Sequence, residues 1–334
     1  MKRIVMMLLS SLLVLTSCNT DENLITDKQS NPFLVEWNTP FGTPPFDKIK
    51  TEHYLPAFTE AINNYKKEID EIANSKSEAT FENTINALEY SGDLYKKVSR
   101  VFNSMTGAMN NDELQKISKE MEPKFAKLND DINLNTKLFS RVKTIYDIRK
   151  TLSLTTEQNK VLENYYKEFV RGGVNLEENE KEEFRKINEE ISLLSLQFGD
   201  NVLKETNKFE LVIDKKEDLV GLSEGIISGA SQAANEKGYS DKWIFTIHKP
   251  SMIPFLQYST KRNLREKIFK AYYMKGDHND SFDNKSIALK ISSLRLRRAN
   301  ILGYKNHAEF VLEEQMAAKP EKVTSLLNKL WTPA

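Results

Sequence analysis

The chain has 334 residues, a length suggesting roughly two domains, and its 48 basic and 48 acidic residues cancel to a formal charge of zero. That balance argues against a general nucleic-acid binder, which carries a clustered excess of Lys and Arg. A mean hydropathy of -0.54 with 39% hydrophobic residues suits a soluble body with a real core, and 12 Gly with 10 Pro favour long helices over a turn-rich β protein.

The chain opens on a short basic start, Met1-Lys2-Arg3. An apolar run follows from Ile4 to Leu15, too short to span a bilayer as a mature helix. This is the layout of an export signal. Leu15-Thr16-Ser17-Cys18 resembles the bacterial lipobox: a large aliphatic residue, two small ones, then Cys. The resemblance implies a signal peptide over 1–17, cleavage between Ser17 and Cys18, and lipid on the Cys18 sulfur. Two or more acyl chains anchor stably where one does not. An ordinary signal peptide with an incidental Cys is the other reading of these residues. Cys18 is the single cysteine, which leaves no intrachain disulfide and no Cys-based metal site. Residues 18–30 are polar and aperiodic, which predicts a flexible tether. Asn19 and the acidic Asp21-Glu22 lean towards the outer membrane of a bacterial cell envelope, with the face left open.

Residues 31–50 hold Pro32, Pro40, Pro44 and Pro45 with aromatic residues between them, and predict an extended arm packed on the body. From Thr51 the periodicity is helical nearly everywhere. It is clearest from about Leu176 to Thr206, where Phe184, Ile187, Ile191, Leu194, Phe198 and Val202 recur at steps of three and four. Asn175 with Glu178, and Thr155 with Gln158, are the capping candidates. "FELVI" (Phe209 to Ile213) and "WIFTI" (Trp243 to Ile247) predict two strands, paired as a small sheet. Leu219 to Lys237 predicts short helices joined at glycines. His248 falls in a loop, and helix returns after Pro254: about 261–274, 283–302 and 319–330. Thr332-Pro333 predicts the opening of a further helix, Thr as cap and Pro at its first position.

Chemistry is scarce. The four histidines are His53, His248, His278 and His307. None pair at i, i+4, and none has a Cys or His partner at ligand spacing. "NHAEF" sets His307 and Glu309 two apart, on different sides of a helix, so the pair predicts a helix start and not a metal site. His248, just after the second strand, and His278, in a polar turn, are loop histidines open to a substrate contact. No phosphate loop and no H-E-x-x-H is present. The acidic run "NLEENEKEEF" predicts a solvated helix face, and "RLRRAN" (Arg295 to Asn300) predicts surface charge pairing. No catalytic residue and no metal ligand is assigned.

Four long blocks in order carry a family resemblance. They are "FDKIKTEHYLPAFTEAI", "LSLQFGDNVLKETNKFELVI", "YSTKRNLREKIFKAYYMKGDHNDSFDN" and "ISSLRLRRANILGYKNHAEFVLEEQMA". Together, over about Asn31 to Ala334, they resemble the thimet oligopeptidase family of zinc metallopeptidases, with its bacterial peptidyl-dipeptidases and oligopeptidase A. The resemblance implies a mainly α fold, the multi-helical wall of a two-lobed zinc oligopeptidase, with one small β element. It implies that residues 31–334 are the amino-terminal portion, ending before the catalytic motif. The family's zinc polarises the scissile carbonyl and acidifies a water, and a motif Glu takes the proton. Those ligands belong to a carboxyl-terminal catalytic half, which is missing from this chain. The implied partners are short peptides, that missing half, and a membrane through the lipid anchor; nucleic acid is not among them. The other hypothesis is a stand-alone helical lipoprotein that binds peptides or a partner protein without catalysis.

Overall fold

The computed structural model describes residues 31–334; Ser17, Cys18, the signal peptide and the tether lie outside the described residues. The described residues divide into two compact units, the first ending at Ser118 and the second spanning Lys119–Ala334.

In the first unit the arm after Asn31 has no regular structure beyond a short turn at Pro40–Gly42. Its anchor is Phe33, fully buried, whose ring meets Tyr54 at 5.2 Å. Lys97 Nζ donates to the carbonyls of Phe33 and Val35, while Phe41 and Phe46 stay exposed. Helix α1 (Tyr54–Ala73) buries Tyr54, Phe58 and Ile69, and α3 (Asp93–Ala108) buries Val98 and Phe102. Phe58 and Phe102 meet edge-on at 5.3 Å, and burial of each such ring contributes about 1.5–3 kcal/mol. A π-helical turn at Phe81–Asn86, capped by Thr80, leads into the short α2 (Ala87–Tyr90). The next turn needs glycine: Gly92 has φ +70, and an added Cβ would lie 2.9 Å from the Tyr65 ring.

Helix α4 spans Asp112–Asn133 and contains the boundary between the units. In the second unit α5 (Thr136–Ile148) packs on α6 (Thr156–Arg171) through Phe139, Phe169 and a Tyr146–Tyr166 stack at 3.8 Å. The Thr155 capping box forms as the sequence predicts, Gln158 N–H donating to Thr155 Oγ1 at 3.1 Å. The long helix α7 runs Glu178–Lys208. Its cap is Glu177 with Glu180, not Asn175, so the helix starts later than the predicted Leu176. The acidic run leaves Glu182 and Glu183 towards solvent, but buries the Lys181 side chain beside Glu178.

The two predicted strands are present and short. β1 (Leu211–Ile213) pairs antiparallel with β2 (Trp243–Phe245), Val212 opposite Ile244. Between them stands one continuous helix, α8 (Glu224–Glu236), and not short pieces. Gly225 and Gly229 lie inside it with open space where a Cβ would go. A second correction concerns the segment after β2. His248 caps α9 (Lys249–Tyr258), in which Pro250 occupies the first turn and Pro254 lies inside. Pro250 costs nothing there, because first-turn N–H groups have no helical partner. Phe245, Phe255, Leu264 and Ile268 join the two strands to α9 and α10 (Arg262–Tyr273) in one core.

Helix α11 (Lys285–Ile301) lies along α7, sharing Ile187, Ile191 and Leu294. A short α12 (His307–Leu312) and α13 (Pro320–Trp331) follow. Thr332 is the C-cap of α13: its hydroxyl donates back to the Asn328 carbonyl at 3.0 Å and its backbone stays αR. Leu326, Leu327, Leu330 and Trp331 on α13 are all exposed, Trp331 at 84%. The fold is mainly α with one two-stranded sheet, as the sequence predicts.

Candidate functional site

Helix α7 carries the polar architecture of the second unit. Its apolar stripe runs Ile187, Ile191, Leu194, Phe198 and then continues, at steps of three and four, into Asn201 and Glu205. Both polar residues are buried and both have partners. Glu205 Oε2 accepts from the Gly276 N–H at 2.5 Å, and Oε1 meets His278 Nε2 at 2.8 Å. Asn201 donates to Asn284 Oδ1 at 2.9 Å, and Asn284 donates to the Phe198 carbonyl at 3.1 Å. The loop between α10 and α11 is thereby tied to α7 at both ends. It also closes on itself, the Asn284 N–H donating to the Gly276 carbonyl at 2.7 Å. Gly276 is required here: φ is +77, and a Cβ would press on Asn284 at 3.0 Å. The Lys285 side chain, with the amides of Lys285 and Asn279, holds the Asp283 carboxyl down at about 2. Beside this loop lies a cavity of about 440 Å³ lined by Glu205, Lys208, Lys270 and His278.

A second polar layer crosses the other half of α7. Asp130 on α4 accepts from Asn188 Nδ2 at 2.8 Å, and Arg298 on α11 donates to Asn188 Oδ1 at 3.3 Å. Burial raises Asp130 to about 6, against the opposing pull of the Asn188 bond and the Arg185 charge. Burial likewise pushes Arg298 down, and its Nε is buried without a partner. Arg171 clasps α12 through the Phe310 carbonyl at 2.7 Å and through Glu313 and Tyr304.

The sequence-predicted residues divide as follows. His53 Nδ1 accepts from the Lys50 N–H at 3.0 Å, a local turn contact. His248 bridges Thr246 and Asn207. His278 joins Glu205 as just described. His307 opens α12, and Glu309 serves the helix cap, its N–H donating to Asn306 Oδ1 at 2.9 Å. This is the helix start that the sequence predicts. His307 Nδ1 is buried without a partner. "RLRRAN" behaves only in part as surface pairing. Arg297 pairs with Glu183, but Arg298 is half-buried, and Arg295 has no ion-pair or hydrogen-bond partner among the described residues. Asp130, Asn188, Asn201, Glu205 and Asn284 were not singled out by sequence. The signal for two of them is a polar continuation of an apolar stripe.

The metal implied by the family resemblance finds no fit in these residues. Among the described residues no three His, Cys, Asp or Glu side chains converge as a metal site requires.

Two family models match the chain in order: "Neurolysin/Thimet oligopeptidase, N-terminal domain" over 58–181 and "Peptidase family M3" over 255–333. The chain belongs to peptidase family M3. Its M3 relatives include the dipeptidyl carboxypeptidase of Escherichia coli, 35% identical over 90% of this chain and 44% of that protein. Another is the organellar oligopeptidase A of Arabidopsis thaliana, 31% identical over 92% of this chain and 39% of that protein. Oligopeptidase A of Escherichia coli is 26% identical, over 90% and 44%. The chain spans less than half the length of these M3 relatives.

Proposed function

We propose that this chain is the amino-terminal, non-catalytic part of an exported, lipid-anchored zinc peptidase that hydrolyses short peptides. The carrying observation is the ordered pair of M3 matches together with identity across nine-tenths of the chain to a dipeptidyl carboxypeptidase. The chain supplies helical wall and entrance, and the metal ligands come from the remainder of the M3 polypeptide. The exposed apolar row of α13 supports this reading, since Leu326, Leu327, Leu330 and Trp331 suit cover by that remainder. The lipobox resemblance supports a lipid-anchored position in the cell envelope, outer membrane favoured, with Cys18 as the lipid attachment.

The test is direct. The purified full chain is incubated with short peptides and zinc, with and without chelator. Dipeptide release is expected to be absent and zinc to be bound at less than one per chain; chelator-sensitive hydrolysis by this chain alone overturns the reading. For the anchor, radiolabelled palmitate should enter the wild-type chain in bacteria and be lost from Cys18→Ser. Equal labelling of both would refute lipidation at Cys18.

A further inference from the structure

The arm of the first unit carries an anomaly. Phe41 has φ +59, in the left-handed region that a bulky side chain rarely adopts, and its ring is 103% exposed. A ring so exposed packs on nothing that would offset the strain. Strain of this kind persists where the surrounding chain fixes it, and it clusters in functional segments. Here the turn is fixed locally. The Gly42 N–H donates to the Thr39 carbonyl at 3.0 Å, and the Thr43 N–H and hydroxyl both donate to the Pro40 carbonyl, at 3.3 and 3.1 Å. The Thr39 hydroxyl donates to the Thr43 carbonyl. Val35 and Phe46 are further exposed apolar groups on the same arm.

Two properties separate this turn from an ordinary surface loop. First, residues 37–46, "WNTPFGTPPF", hold no Asp, Glu, Lys or Arg, in a chain that is 29% charged. Second, the backbone nearly satisfies itself. Pro40, Pro44 and Pro45 have no N–H, and Gly42, Thr43 and Phe46 donate theirs within the arm. The carbonyls of Thr39, Pro40, Thr43, Pro44 and Pro45 all accept. A loop in water needs neither property, because water serves its polar groups. A lipid interface favours both, since charges and unpaired peptide groups are costly to remove from water. Pro40, Gly42 and Thr43 are exposed beside the ring, so Phe41 stands at a projecting tip. A fluid acyl boundary accepts such a tip without the complementary surface that a protein partner must supply. Asn31 follows Cys18 by 13 residues, which limits the reach between them to about 45 Å.

We propose that this turn inserts the Phe41 ring into the lipid interface of the membrane that holds the Cys18 anchor, as a second, non-covalent contact with the bilayer. The choice of membrane rests on the lipid-anchored function proposed above; the uncharged, self-bonded turn does not. The contact is apolar, so it is independent of salt.

The experiment places p-benzoylphenylalanine in the full chain at position 41 or, as a reference, at Tyr90, which is 77% exposed in the same unit. Both chains are made in bacteria, membranes are isolated and irradiated, and adducts are identified by mass spectrometry. Phospholipid adducts should be severalfold more abundant at position 41 than at position 90, and unchanged in high salt. No lipid adduct at position 41, equal adducts at both positions, or loss of the adduct in high salt overturns the proposal. An adduct to another polypeptide or to a second copy of this chain in place of lipid also overturns it. Palmitate labelling of the same cells keeps the two readings apart. Labelled protein without lipid adducts at position 41 defeats the insertion and leaves the anchor standing; adducts without palmitate do the reverse.

Discussion

The two halves of α7 obey opposite rules. In the amino-terminal half Phe184, Ile187 and Ile191 are buried, and the charged residues Glu182, Lys186 and Glu189 face solvent. In the carboxyl-terminal half Asn201 and Glu205 are buried, while Phe198 is turned out towards a cleft. The first half is a core helix held by apolar burial. The second is a frame that positions a loop by hydrogen bonds and leaves an aromatic ring exposed. Buried polar groups cost free energy unless satisfied, so the second arrangement persists because Gly276, His278 and Asn284 satisfy them.

That contrast can be broken by experiment, beginning with the largest effect. Phe184→Ala should destabilise the protein by about 3–5 kcal/mol in urea denaturation, the cost of a large core truncation. The amino-terminal half also holds, through Asn188, Asp130 of α4, which burial keeps at about 6. Between its unfolded value of 3.8 and about 6, the folded state keeps a proton that the unfolded state has released. Stability should therefore fall as pH rises through that window, by on the order of 2–3 kcal/mol, and level off above it. Asp130→Asn should flatten this slope, and an unchanged slope would refute the assignment.

In the carboxyl-terminal half the losses should be smaller and local. Glu205→Ala leaves the Gly276 N–H unpaired at a cost of about 1–3 kcal/mol, and amide exchange should quicken between Gly276 and Asn284 more than elsewhere. Phe198→Ala should change stability by less than about 1 kcal/mol in the same urea denaturation. If Phe198→Ala cost as much stability as Phe184→Ala, the division of α7 into core and frame would be wrong.

The sequence displays the fold better than the site, for physical reasons. A buried stripe repeats along one helix, so Phe184, Ile187 and Ile191 announce themselves by local period. Thr155 and Gln158 do likewise, since a capping box is complete within four residues. The Asn175 reading failed because Glu177 and Glu180 compete for the same role two residues later. Pro254 and the glycines of α8 were read as breaks; packing of Phe255 and Ala230 carries the helices through them. The site is different in kind. Arg295 and His307 meet only because the chain turns between α11 and α12, and Glu205 finds His278 across 73 residues of sequence. No periodicity within one segment encodes such a meeting. The family resemblance, by contrast, survives in long blocks and is upheld by the M3 matches.

The knot at the α10–α11 loop has a mechanical consequence. Its fastenings to α7 sit at Asn201 and Glu205, one helical turn apart, and the Asn284-to-Gly276 bond ties the two grips together. A one-turn ratchet of α11 past α7, about 5.4 Å, would tear all of them at once. Helices α10 and α11 must therefore travel with α7 as a single lever, and any larger movement has to pivot elsewhere.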